Sequence, residues 1–367
     1  MYMNKFYILL FFVSISIGCS RISSDVKIIS LKDNLQSEIS ICDLFEDLTY
    51  VTIDSSDSSS APLIGMITKS LLYDNKIYIS DLKNIHIYDL SGAFITMLSR
   101  YGRGSNEYLG INDFAVYDDQ ILILDQNKKL LKYAIDGTCL QSLTLDFYPS
   151  SLCVVDSEQL LLTSAYQAEE DKFHVYNLNT LEKVNSFYPI EKPQITWRHF
   201  RGQTNFYRYK DKLLYHEPMN NTLYNLRDTT LMPIMNVDLF GRNAPDDFWQ
   251  RTFDNVMDIN LEANDQKYCF GIPSYCENDD NLWFTYRDGA NYRICLYSKD
   301  DMSSIQSSNI SIPELSANIS VDEIYFSLES DHEQMMVITG DMLNEDVKVN
   351  ILNVSADYDN PIFIINR

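Results

Sequence analysis

Apolar and polar positions alternate along this chain in a pattern that recurs. Between Leu98 and Leu145 the apolar-rich runs 113–117, 120–125, 130–133 and 139–145 are short, and each is closed by Asp, Asn or Gly. Runs of this length bounded by turn residues predict β-strands joined by tight hairpins. The segment before it repeats the pattern. Tyr73-Asp-Asn-Lys-Ile-Tyr-Ile-Ser-Asp81 matches Tyr117-Asp-Asp-Gln-Ile-Leu-Ile-Leu-Asp125, so Asp74 and Asp118 are 44 apart (118 − 74), as are Asp81 and Asp125 (125 − 81). Gly92 and Gly137 follow at a shift of 45 (137 − 92). A fixed period of this length holding four strands predicts propeller blades around a central channel.

Later copies are looser. They run from Leu152 to Tyr188, Asn205 to Leu239, Lys267 to Ser308 and Val321 to Ile365, the last with Val347-Lys-Val-Asn-Ile351 as one of its strands. With 64–98 and 111–145 this predicts an all-β fold, a six-bladed β-propeller of four-stranded antiparallel blades. An open ring would leave strand edges unpaired, and Leu48–Ile53 is the candidate to complete the last blade. One short helical insertion is predicted between blades four and five. Asn243 suits its cap, Pro245 its first turn and Asp246-Asp247 the positive end of its dipole, while Phe248, Trp249, Phe253, Val256 and Met257 recur at helical spacing.

Composition agrees with strands. Hydrophobic residues make up 45% of the 367, with 25 Tyr and 18 Phe against 12 Gly and 10 Pro, so Asp, Asn and Ser make most of the turns. A net charge of −23, from 52 acids and 29 bases, argues against nucleic acid, which needs clustered Lys and Arg.

The N-terminus reads as an address. Lys5 precedes an apolar run from Phe6 to Ile17, too short to span a bilayer, ending in Ser16-Ile-Gly-Cys19. That ending resembles a bacterial lipobox, which implies a signal peptide over 1–18 and lipidation of Cys19. The expected division is then a tether and N-terminal extension over 19–46 and the propeller over 47–367, in the cell envelope, anchored at the outer membrane or else exported to the periplasm. Cys42, Cys139, Cys153, Cys269, Cys276 and Cys295 show no C-x-x-C pair and read as small strand residues rather than zinc ligands.

Tyr101-Gly-Arg-Gly-Ser-Asn-Glu-Tyr108 with Asp113-Phe-Ala-Val116, Asn221-Thr-Leu-Tyr-Asn-Leu226 and the terminal Asp359-Asn-Pro361 resemble the signature of six-bladed propeller lipoproteins of gut anaerobic bacteria. The block 98–145 is also similar to an NHL repeat. Ser105 departs from the family pattern, where Pro-like residues are common. The resemblance implies fold and address; it assigns no activity, because a propeller hosts many functions.

In a propeller, the link from one blade's outer strand to the next blade's inner strand shares a face with the loop between second and third strands. Arg103 and Glu107 lie on the first such link, Trp197, Arg198, His199 and Arg201 on the third, and Trp249 to Arg251 on the fourth. Tyr166, His216, Glu217, Arg287 and Tyr292 lie near second-to-third-strand loops. Arg103, Glu107, Trp197, Arg198, His199, Arg201 and Arg287 are therefore the expected ligand-binding set, suited to an anionic or glycan-like ligand by bidentate pairing and stacking. Gly102 and Gly104 are expected to supply positive φ at the junction.

Catalysis finds little support. His86, His174, His199, His216 and His332 are dispersed, no G-x-S-x-G or Walker loop occurs, and Asp118-Asp119, Asp246-Asp247 and Asp279-Asp280 sit where turns or a helix start explain them. The favoured reading is an envelope-anchored binding or interaction module, monomeric, without metal or cofactor, whose partner is a small molecule, glycan or protein. The alternative is a propeller lyase or hydrolase, metal-assisted, with its site at the channel mouth.

Overall fold

The computed structural model describes residues 26–53, 62, 64, 66–164, 171–189, 205–217, 220–249, 251, 256–328 and 334–366. The repeat unit is as the pattern predicts. Sheet one comprises Lys69–Tyr73, Lys76–Ser80, Asn84–Asp89 and Phe94–Ser99 in antiparallel sequence order. Sheet two repeats it with Ile111–Tyr117, Gln120–Asp125, Lys129–Ala134 and Cys139–Thr144. The hairpins at Asp74-Asn75 and Asp118-Asp119 have both central residues at positive φ, between 46° and 55°, the turn whose twist matches that of its strands.

Sheet three holds Pro149–Val154, Gln159–Ser164, Asp171–Asn177 and Lys183–Pro189. Sheet four holds Phe206–Tyr209, Lys212–His216, Thr222–Arg227 and Thr230–Asp238, and takes Lys27–Ser30 as a parallel fifth strand on its outer edge. In sheet five, Cys269–Phe270 and Tyr275–Glu277 both pair with Asn281–Asp288, followed by Asn291–Ser298 and Ser304–Ser307. Sheet six has three strands: Asn309–Ile312, Ala317–Ser320 and, in parallel, Ile39–Ser40. Sheet seven orders Tyr325–Leu328, Gln334–Thr339, Pro361–Asn366 and Leu48–Thr52.

The expected count of six blades is thus corrected. The described residues form seven sheets, which counted as blades make seven. The miscount lies in 309–320, which local pattern assigned to no blade of its own; these residues complete a sheet with a strand some 270 positions upstream (310 − 39 = 271). The single helical insertion is corrected as well. Asp246–Trp249 forms one four-residue turn, α1, and Val256–Asp265 a separate helix, α2. Asn243 caps neither: its Oδ1 accepts the Leu239 amide and its Nδ2 donates to Val237 O, pinning the end of sheet four. The strand read at 347–351 is also revised. Glu345–Asn350 is a helix, α3, because Asn344 Oδ1 accepts the Val347 amide and Glu345 and Asp346 occupy its first turn. The fourth strand of sheet seven is Leu48–Thr52, antiparallel to Pro361–Asn366, as expected of the segment proposed to complete the last blade.

Cores lie between neighbouring sheets. Leu71, Tyr78, Ile87, Phe114, Ile123 and Tyr133 pack sheet one on sheet two; a larger cluster joins sheets four to seven through residues such as Val237, Trp283, Ile310 and Ile364. The inner strands are also cross-tied by polar contacts. Lys69 Nζ meets Asp113 Oδ1 at 2.8 Å and Phe114 O at 2.9 Å, and Asp113 Oδ2 accepts the Leu152 amide at 2.8 Å. Lys69 and Asp113 are themselves one repeat apart. Arg208 donates to Val154 O and Val155 O, Tyr207 OH to Glu277 O, and Ser327 Oγ to Ser70 O.

Candidate functional site

The expected junction residues are the first to place. Arg103 is exposed on the loop between sheets one and two. Glu107 Oε2 accepts the Gly104 amide at 2.7 Å, and Lys129 Nζ donates to the carbonyls of Gly104 and Glu107. Neither Gly102 nor Gly104 lies at positive φ, so that expectation is revised. A Cβ on Gly102 would stand 2.0 Å from Glu107 Oε2; the glycine leaves room for the folded-back carboxylate. Tyr133 OH donates to Asn106 O at 2.7 Å and Ser142 Oγ to Ser105 O at 2.8 Å, so the loop is pinned onto sheet two.

Arg287 lies elsewhere, at the tip of the hairpin joining Asn281–Asp288 to Asn291–Ser298. Its guanidinium donates to Asn260 Oδ1 of α2 at 3.0 Å and to Ala290 O at 3.3 Å, and lies 5.7 Å and 5.2 Å from the ring centres of Phe270 and Tyr292. Among the described residues no hydrogen bond or ion pair joins it to Arg103 or Glu107. Trp197, Arg198, His199 and Arg201, with Tyr166 and the expected lipidation position Cys19, lie outside the described residues. Arg251 pairs with Glu262 of α2. Glu217 pairs with the buried Lys172.

What the structure does assemble is a cavity of about 180 Å³ where sheets four, five and seven meet, at the face on which their inner strands begin. Phe206 and Tyr207 start the inner strand of sheet four, Tyr275 that of sheet five, and Tyr325 and Phe326 that of sheet seven; Tyr292 closes the side. His216, Ser274, Thr285 and Asp322 add polar groups. The deep members are buried, whereas Asp322 is exposed and Ser274, Tyr292 and Phe326 are half-buried, so the opening is beside Asp322.

Asp322 is placed by local folding. Ser320 Oγ accepts the Asp322 amide as cap of the 3-10 turn Val321–Glu323, and Asp322 Oδ1 accepts the Tyr292 amide at 2.8 Å, tying sheet five to the entry of sheet seven. Three phenols are committed below the rings: Tyr275 OH to Glu277 Oε2 at 2.6 Å, Tyr207 OH to Glu277 O, and Tyr325 OH to Thr68 O at 3.2 Å. Burial, with Glu277 adding to it, raises the Tyr275 phenol well above its ordinary range, and burial followed by Cys276 does the same for Tyr207. Both phenols are neutral, and the two rings pack edge-to-face against each other, with centres 5.5 Å apart.

Of the expected site residues, Arg287 alone is shown reaching this cavity's edge, through Tyr292. His216 and Tyr292 line the cavity, but sequence reasoning had treated them only as loop neighbours. Phe206, Tyr207, Thr285, Ile324, Tyr325, Phe326 and Leu328 fall in expected strands, whereas Pro273, Ser274, Tyr275 and Asp322 were assigned no strand or site. A signal existed: aromatic residues recur at the start of the inner strand in three copies, 206–207, 275 and 325–326. Among the described residues no three His, Cys, Asp or Glu side chains are grouped to hold a metal ion, and no helix is long and apolar enough to cross a membrane.

The chain belongs to a family described as a domain of unknown function, DUF4934, whose model matches residues 26–366. No functionally curated protein matches it. Among solved structures it is similar to a Bacteroides fragilis protein described as a putative exported protein, at 20% identity and a TM-score of 0.67, covering 93% of this chain and 99% of that one. Weaker likenesses are to BamB of Moraxella catarrhalis, at 8% identity, TM-score 0.45, covering 82% of this chain and 96% of that one, and to the Neurospora crassa Pan2 WD40 domain, at 9% identity, TM-score 0.38, covering 74% of each. The Bacteroides likeness, at a TM-score of 0.67, shows a shared fold.

Proposed function

We propose that this DUF4934 propeller is an exported, envelope-anchored binding module whose ligand enters the aromatic cavity between sheets four, five and seven. The observation that carries this is the convergence of six aromatic rings from three sheets on one open cavity, with a carboxylate at its mouth. Ring-to-ring packing alone closes such gaps, because interiors tolerate few voids larger than a water molecule. At about 180 Å³ the cavity lies below the roughly 300–1,000 Å³ of sites for drug-sized molecules, so it suits a small head group or one ring of a larger ligand. Binding is favoured over catalysis because, among the described residues, the lining holds one carboxylate, that of Asp322, where glycoside hydrolysis takes two.

The address follows from the leader pattern ending at Cys19, the resemblance to propeller lipoproteins of gut anaerobes, and the exported classification of the similar Bacteroides protein. A lipid on Cys19 would stand eight residues before Lys27, where the chain joins the edge of sheet four (27 − 19). Eight residues reach at most about 29 Å, which would hold the propeller close to the membrane by that edge.

A ligand-observed NMR screen of small sugars, amines and carboxylates tests the site. Hits are expected to be displaced by the cavity-filling substitution Ser274→Trp. Hits that bind this variant as well as the parent would place the ligand elsewhere and overturn the reading.

A further inference from the structure

The lining of the cavity is unusual in what it lacks. Lysine and arginine are missing from it among the described residues, and its charged side chain is the Asp322 carboxylate at the mouth. The chain as a whole carries −23. An anion entering this space would meet a carboxylate and the negative faces of aromatic rings. The anionic half of the expected ligand class is therefore disfavoured at this site.

A neutral polyhydroxylated ring fits less well than a cation. Sugars are held by several side-chain donors and acceptors around their rim; the hydroxyls of Tyr207, Tyr275 and Tyr325 are spent on Glu277 and Thr68, which leaves His216, Ser274, Thr285 and Asp322 as the lining's polar groups beside six aromatic rings. What the rings present is π surface, which attracts cations electrostatically. The same corner already holds one cation this way: the Arg287 guanidinium lies over Phe270 and Tyr292 without a carboxylate partner among its hydrogen bonds.

We propose that the cavity takes an alkylammonium group, seated against the faces of Tyr292, Tyr325 and Phe326 with the Asp322 carboxylate at the entrance. This rests on the reading that the cavity is the ligand site. Asp322 and the rings have separate tasks. The carboxylate draws the cation to the mouth and the rings replace its water inside, so selectivity for charge should exceed selectivity for the rest of the ligand.

Choline and its uncharged isostere 3,3-dimethylbutan-1-ol, titrated calorimetrically into the full folded domain, test it. Choline is expected to bind at least about tenfold more tightly, the size of a desolvated cation–π contact. Asp322→Asn, which keeps an acceptor for the Tyr292 amide, is expected to weaken choline several-fold and leave the isostere unchanged. Tyr292→Leu and Phe326→Leu, checked for native circular dichroism, should erase the preference. Equal binding of both probes, blocked by Ser274→Trp, would overturn the ammonium proposal and leave the site standing. Failure of choline to bind at millimolar concentration would also overturn it, with the screen above deciding separately whether the cavity binds anything.

Discussion

Asp113→Ala should be among the most damaging single substitutions in the inner ring. Asp113 and Lys69 are only 6% and 4% exposed. The carboxylate accepts Lys69 Nζ and the Phe114 amide at Oδ1 and the Leu152 amide at Oδ2, each at 2.8 Å, so one side chain joins the inner strands of sheets one, two and three. Removing it breaks a buried ion pair, which costs about 3–5 kcal/mol, and leaves two amides to find other acceptors, at about 1–3 kcal/mol for each that stays buried and unmade. Partial relaxation places the expected loss near 4 kcal/mol. Urea unfolding followed by far-UV circular dichroism measures it. Replacing the pair together, Lys69→Met with Asp113→Leu, should recover much of the loss, because apolar replacement of a buried pair is often near neutral. A loss for Asp113→Ala within about 0.5 kcal/mol, the usual range for surface substitutions, would refute the reasoning.

Two further outcomes are expected. Gly92 and Gly137 occupy the same repeat position at φ of 84° and 83°, but a Cβ on Gly92 would lie 1.9 Å from Thr52 O of the closing strand, whereas on Gly137 the nearest atom is the flexible Arg100 Nη2 at 3.3 Å. Both Ala substitutions should cost about 1–2 kcal/mol for the left-handed backbone, and Gly92→Ala should cost at least about 1 kcal/mol more; equal melting temperatures would contradict the closure contact. His174 stacks on Phe147 at 3.7 Å, and burial, then Lys183, push its imidazole down to about 4 from 6.5. The unfolded chain therefore takes up this proton first, so stability should fall by on the order of 2–3 kcal/mol as pH drops from 6.5 towards 4 and level off below it; pH-dependent unfolding of His174→Leu should lack that component.

The blade repeat was legible because it is local. Asp74-Asn75 and Asp118-Asp119 make identical hairpins, and the apolar alternation between them needs no distant partner. Sheet six was not legible for the opposite reason: Ile39–Ser40 pairs with 310–311, and nothing in either stretch announces the other. Val347-Lys-Val-Asn-Ile351 fits a strand as well as a helix by periodicity, and the Asn344 cap decides between them. The junction glycines were correctly tied to a turn but not by positive φ: Gly102 leaves room for the folded-back Glu107 carboxylate. The cavity escaped notice because each ring in it reads singly as core. Only the ring of sheets brings positions 206, 275, 292 and 325 to one place.

Crystals soaked with choline give the most direct test of the central claim. The account predicts electron density for the trimethylammonium group between Tyr292, Tyr325 and Phe326, with Asp322 at the entrance. Density at the exposed Arg103 loop with the cavity unfilled, or no density at concentrations that saturate binding in solution, would contradict it.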